Sequence, residues 1–115
     1  MERPLLRTRV KVNMTICGKT TEIMADSSSG SGVKITIKSD CKFVQDFAGE
    51  LTEISMMDLS KRIIENKVYM LASRSNITPT CLVPCGVVNA GWIETGLIAK
   101  NLALKEGEIK IIFNE

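Results

Sequence analysis

Cys81 and Cys85 stand four residues apart in the stretch NITPTCLVPCGVV, with Pro84 between them. Two more cysteines, Cys17 and Cys41, complete the set, and there is no histidine anywhere in the chain. Thiolates bind soft metals, attack electrophiles and exchange disulfides. Without histidine, Ser-His-Asp and Cys-His arrangements and His-bearing catalytic zinc sites are excluded. Any general acid or base is then Asp, Glu, Lys, Tyr or Cys.

The elements that must position these thiols are legible as periodicity. Val10, Val12, Met14 and Ile16 alternate with polar residues, as in a half-buried strand. A glycine-bearing turn at Cys17–Lys19 leads into a returning strand, TTEIMAD. SSSGSG, residues 27–32, reads as a flexible loop. Val33, Ile35 and Ile37 alternate with Lys34, Thr36 and Lys38 to give a third strand. Ser39 or Asp40 then reads as a helix N-cap, followed by Phe43, Val44, Phe47, Leu51 and Ile54 at helical spacing. Ser55–Asp58 resembles a capping box and opens a shorter helix ending near Asn66. KVYMLAS fits either a strand or a helix. A helix apolar almost all round runs from Cys81 or Pro84 to about Ala99, with proline tolerated in its first turn. Ile109, Ile111 and Phe113 alternate in a last strand.

This order predicts one α+β domain over residues 1–115. It is an antiparallel sheet of about four strands with helices on one face, in the order β-β-β-α-α-α-β. In a meander of the first three strands, Cys17 and Cys41 share one end of the sheet. Cys81 and Cys85 share a helix face, with Val88 and Trp92 on that same face. Three of the thiols lie near helix N-termini, where the dipole favours thiolate. An all-cysteine zinc site or an iron–sulfur cluster held by Cys17, Cys41, Cys81 and Cys85 follows as the leading expectation. Buried cysteines that only pack are the plain alternative.

ICGK at 16–19, SDCK at 39–42, CLVP at 81–84 and GLIAKNLALKEGEIKI resemble a small archaeal family of unknown function, common in methanogens. The resemblance covers most of the chain. It implies a compact cytosolic domain and a role for Cys17, Cys41 and Cys81. The family pattern has three cysteines, and Cys85 is not clearly part of it. A three-cysteine set leaves a metal one open position, or a cluster one open iron.

Other residues have simpler readings. Asp40 fits a helix cap better than a metal ligand. Glu94 lies among apolar residues, where a carboxylate could serve as acid or base, or merely pair at a face edge. Trp92, Met56 and Met57 read as packing residues. SSSGSG lacks the lysine and helix context of a phosphate loop. The 24% charged residues mix both signs to a net charge of +2, and aromatics are scarce, which argues against nucleic acid as a partner. No run is long enough to span a membrane, so the expected location is the cytoplasm. Two rival functions stay open. One is a thiol-disulfide oxidoreductase or thiol transferase using Cys81 or Cys85. The other is an interaction module with inert cysteines, a homodimer or the partner of another protein, using the small-residue helix or an edge strand.

Overall fold

The computed structural model describes residues 7–28 and 32–115. β1 (Arg7–Met14), β2 (Lys19–Asp26) and β3 (Val33–Ser39) form an antiparallel meander. A two-residue β4 (Glu53–Ile54) completes the sheet in the order β1-β2-β3-β4. Alternation sets the register. Across three strands the inward rows run Thr8–Ala25–Ile35, Val10–Ile23–Ile37 and Val12–Thr21–Ser39. A slip by one residue would turn these rows outward.

Two of the outward rows are charged throughout. Glu22 lies between Lys11 and Lys38, and Asp26 between Arg7 and Lys34. The Ser28 hydroxyl and N–H lower the Asp26 pKa, with Arg7 and Lys34 adding to the effect. Opposite charges directly across a sheet face attract, and this face is open to water with no layer over it among the described residues.

Helices cover the inner face only. α1 (Lys42–Glu50) buries Val44 and Phe47 against β3. Full burial of a side chain such as Phe47 stabilises by roughly 1.5–3 kcal/mol. Leu51 and Ile54, expected to continue this helix, are buried beyond its end. Helical and turn-strand geometries both send those positions inward. The Thr52 carbonyl accepts from the Ile35 N–H at 2.9 Å, so the chain joins the sheet there.

α2 (Met56–Leu59) starts as expected, with the Ser55 hydroxyl accepting from the Asp58 N–H at 3.0 Å. It ends after Leu59, and a 3-10 turn at Ile63–Glu65 follows. The ambiguous KVYMLAS is helix α3 (Lys67–Ser73), because the Asn66 side chain caps it by accepting from the Val68 N–H at 3.0 Å.

α4 (Val83–Glu94) is the organising element. It touches β1, β2, β3, α2, α3 and the next helix. Its small residues permit this. A Cβ on Gly86 would lie 2.6 Å from Val12 Cγ2, and one on Gly91 would lie 2.7 Å from both Leu59 methyl carbons. The helix stops before Gly96, which has φ +83° and needs a residue without a Cβ. α5 (Lys100–Glu106), unforeseen as a separate helix, follows.

Two expectations change. The fourth strand of the sheet is β4 in mid-chain, whereas Ile109–Phe113 form no strand and residues 107–115 lack regular structure. The 27–32 loop is only partly described, since residues 29–31 lie outside the described residues.

Candidate functional site

The end of the sheet where β1 turns into β2 collects three thiols. Cys17 is exposed in the turn between Met14 and Lys19, and its sulfur makes a weak 3.7 Å contact with the Met14 carbonyl. Cys41 follows Ser39, whose register partner is Thr21 at the start of β2. Cys81 immediately precedes α4, which lies over β1 and β2. Cys41 and Cys81 are half-buried and pack on the rim of the core.

Short polar contacts fix this end. The Asp40 carboxylate accepts from the Thr20 N–H at 3.0 Å, tying the exit of β3 to the start of β2. The Ser39 hydroxyl accepts from the Thr21 hydroxyl at 2.8 Å and from the Cys41 N–H at 3.1 Å. Neither Ser39 nor Asp40 is the N-cap of α1. That position falls to Cys41, which makes no side-chain cap bond. The expected capping groups brace the sheet end instead, because the strand continues to Ser39 and the helix starts later.

Electrostatics link the three thiols. Burial pushes the Cys81 thiol up, and the Val83 N–H, 3.5 Å from its sulfur, acts the other way. The nearby Cys41 and Cys17 push it up again, since like charges at one site resist joint ionisation. The N–H at the start of the helix favours the Cys81 thiolate, as expected, but does not set the net direction. Desolvation and neighbouring thiols outweigh one N–H contact. As placed, no three His, Cys, Asp or Glu side chains among the described residues form a group that could hold a metal ion.

Cys85 faces a different neighbourhood. Its sulfur accepts from the Asn89 amide at 3.4 Å. It also bonds to Tyr69, whose pKa is raised by burial first, then by the Cys85 charge and that hydrogen bond. Asn89 follows Cys85 by one helical turn, a spacing that could have revealed it. Nothing in the sequence pointed to Tyr69.

A family profile matches residues 8–106. The chain belongs to DUF6951, a family of unknown function. No curated protein and no solved structure matches it. All four cysteines of this DUF6951 chain fall within the matched span.

The remaining candidates have structural partners. Glu94 is held at the far end of α4 by Thr8 and Ser27. The Trp92 indole N–H donates to the Leu59 carbonyl at 2.7 Å. Met56 and Met57 are exposed and so lie outside the core. No helix among the described residues is long and apolar enough to cross a membrane.

Proposed function

We propose that Cys17, Cys41 and Cys81 bind a soft metal, either zinc or the iron of an iron–sulfur cluster, in a structural, carrier or electron-transfer role. The observation that carries this reading is positional. A hairpin turn, a strand exit and a helix start, far apart in sequence, each bring a thiol to one end of the sheet. Cysteines that only fill the core have no need to gather at an edge, where one of them is exposed.

The donor chemistry suits a cation. Cys81, whose ionisation burial and the neighbouring Cys41 and Cys17 oppose, gains from a bound positive charge that replaces its proton. Binding requires side-chain rotation, chiefly at exposed Cys17 and half-buried Cys41. Three thiolates leave one position for water, substrate or a partner's ligand. Cys85, engaged with Tyr69 and Asn89, is left out of the set. We read the chain as one domain working in a reducing cytosol, of the archaeal kind its resemblance implies, where thiols persist.

The test is anaerobic purification followed by assay of zinc, iron and sulfide and by a visible spectrum. Metal-stripped protein is then titrated with zinc. The expected result is bound metal and proton release. Affinity should fall by at least about 10-fold in Cys17→Ser, Cys41→Ser and Cys81→Ser, and stay unchanged in Cys85→Ser. No bound metal and no proton release on adding zinc would sink the proposal.

One observation favours a second reading. The Tyr69 hydroxyl and the Asn89 amide both lie against the Cys85 sulfur, so thiol exchange would run through Cys85. With the Cys81 thiol pushed up by burial, this reading predicts faster alkylation of Cys85 than of Cys81 at neutral pH. The reverse order excludes it.

A further inference from the structure

Residues 107–115 follow α5 without regular structure, yet they carry a strand pattern. Ile109, Ile111 and Phe113 alternate with Lys110 and Ile112, so a strand here would have one wholly apolar face. These side chains are exposed, Ile109 at 79% and Phe113 at 73%. Such a run needs a neighbouring strand to satisfy its backbone and cover its face.

The sheet has a matching vacancy. β1 ends the strand order, and its eight residues present an edge with no strand beside it among the described residues. The other edge, β4, is only two residues long. Apolar cover along β1 is uneven, with inward Thr8 and Val12 buried. Its inward Val10 and Met14 are half-buried, whereas inward Ile23 and Ala25 of β2 are fully buried. Lys100 of α5 donates to the Arg7 carbonyl at 2.7 Å, which anchors the helix beside the start of β1. The segment that follows nevertheless leaves its own edge uncovered.

We propose that residues 109–113 of a second copy add to the free edge of β1, and that the exchange is reciprocal. Backbone hydrogen bonds would pair the strands, and Ile109, Ile111 and Phe113 would extend the apolar face beside Val10 and Met14. The occupant is a second copy because edge and segment lie on the same chain. A two-fold exchange covers both features twice and closes the assembly. A foreign strand would cover the edge and leave the segment bare.

The experiment is light scattering over a concentration series together with amide hydrogen exchange on the full chain. The expected result is twice the chain mass, with protection of the β1 amides that point away from β2. Ile111→Pro removes an N–H from the added strand at an exposed position. It should return the mass to that of one chain and abolish protection of only those β1 amides that do not bond to β2, while thermal unfolding stays cooperative. A single-chain mass for the parent up to its solubility limit overturns the proposal, whether or not residues 109–113 are protected. So does a dimer that survives Ile111→Pro.

Discussion

Glu94 and Ser27 meet twice: the backbone N–H of Ser27 donates to Glu94 Oε2 at 3.0 Å, and its hydroxyl donates to the same oxygen at 2.8 Å. The Thr8 hydroxyl takes the other carboxylate oxygen at 2.8 Å. One side chain thus joins the end of α4 to β1 and to the exit of β2. It lies at the opposite end of the helix from Cys81.

Glu94→Ala should therefore lower stability without touching metal binding. Hydrogen bonds to a charged group are worth about 1.5–3 kcal/mol each, but they share one carboxylate, so a loss of about 2–3 kcal/mol is expected. Glu94→Gln keeps the shape and should lose less. Urea unfolding of both variants, beside zinc titration, checks this. An unchanged midpoint in Glu94→Ala would refute it.

Gly86→Ala should destabilise even though alanine is the better helix former. The added carbon meets Val12 at 2.6 Å and Ile23 at 3.1 Å. Val12 is β-branched and cannot easily turn away. Overpacking costs about 1–3 kcal/mol, against a helix-propensity gain of about 1 kcal/mol. Gly91→Ala presses on the end of Leu59, a more adaptable side chain, and should cost less. Thermal melts that rank the two in reverse would show that α4 can shift away from the sheet.

Asn66 is 3% exposed and uses its whole amide. Its nitrogen donates to the Leu59 and Lys61 carbonyls at 3.2 Å each, and its oxygen caps α3. Asn66→Ala removes the cap and two bonds, and should cost about 2–3 kcal/mol. Trp92, the sole tryptophan, donates to the same Leu59 carbonyl. Its fluorescence should shift in this variant before global unfolding. A spectrum and midpoint like the parent's would contradict the account.

The raised Cys81 pKa fixes the sign of an alkaline effect. Above the ordinary thiol range the unfolded chain loses this proton while the folded chain still holds it. The folded state then binds more protons, so stability falls as pH rises. Its contribution is full below the unfolded pKa and is lost as pH rises through the folded one. Metal-free protein should weaken over that alkaline window, and Cys81→Ser should weaken less. Zinc binding runs the opposite way with pH, because each thiol must first lose its proton. Chemical denaturation at a series of pH values decides. A flat profile for the parent would contradict the desolvation of Cys81.

The meander was legible because alternation is local. Each of Val12, Ile23 and Ile35 announces its face through its immediate neighbours. The shared end for Cys17 and Cys41 followed from that. Less legible were features set by distant contacts. Leu51 and Ile54 fit a helix and a turn equally well, and a backbone bond to Ile35 chose the turn. Asn66 gave no sign of its capping role because KVYMLAS alone suits two structures. Ile109–Phe113 reads as a strand, but a strand requires a partner, and pattern alone does not say whether one is present. The environment of Cys85 depended on Tyr69, from another helix.

The arrangement of α4 also bears on how the chain acquires its structure during synthesis. The sheet is complete by Ile54, yet the helix over β1 and β2 begins only at Val83. The Thr8–Glu94 bond spans 86 positions. Nascent hairpins must therefore wait, apolar side bare, while the following segment leaves the ribosome. Chains stalled before Val83 should be cut readily by protease within β1–β3. Chains with Glu94 clear of the exit tunnel should resist, and the transition should be abrupt because one late helix closes the inner face.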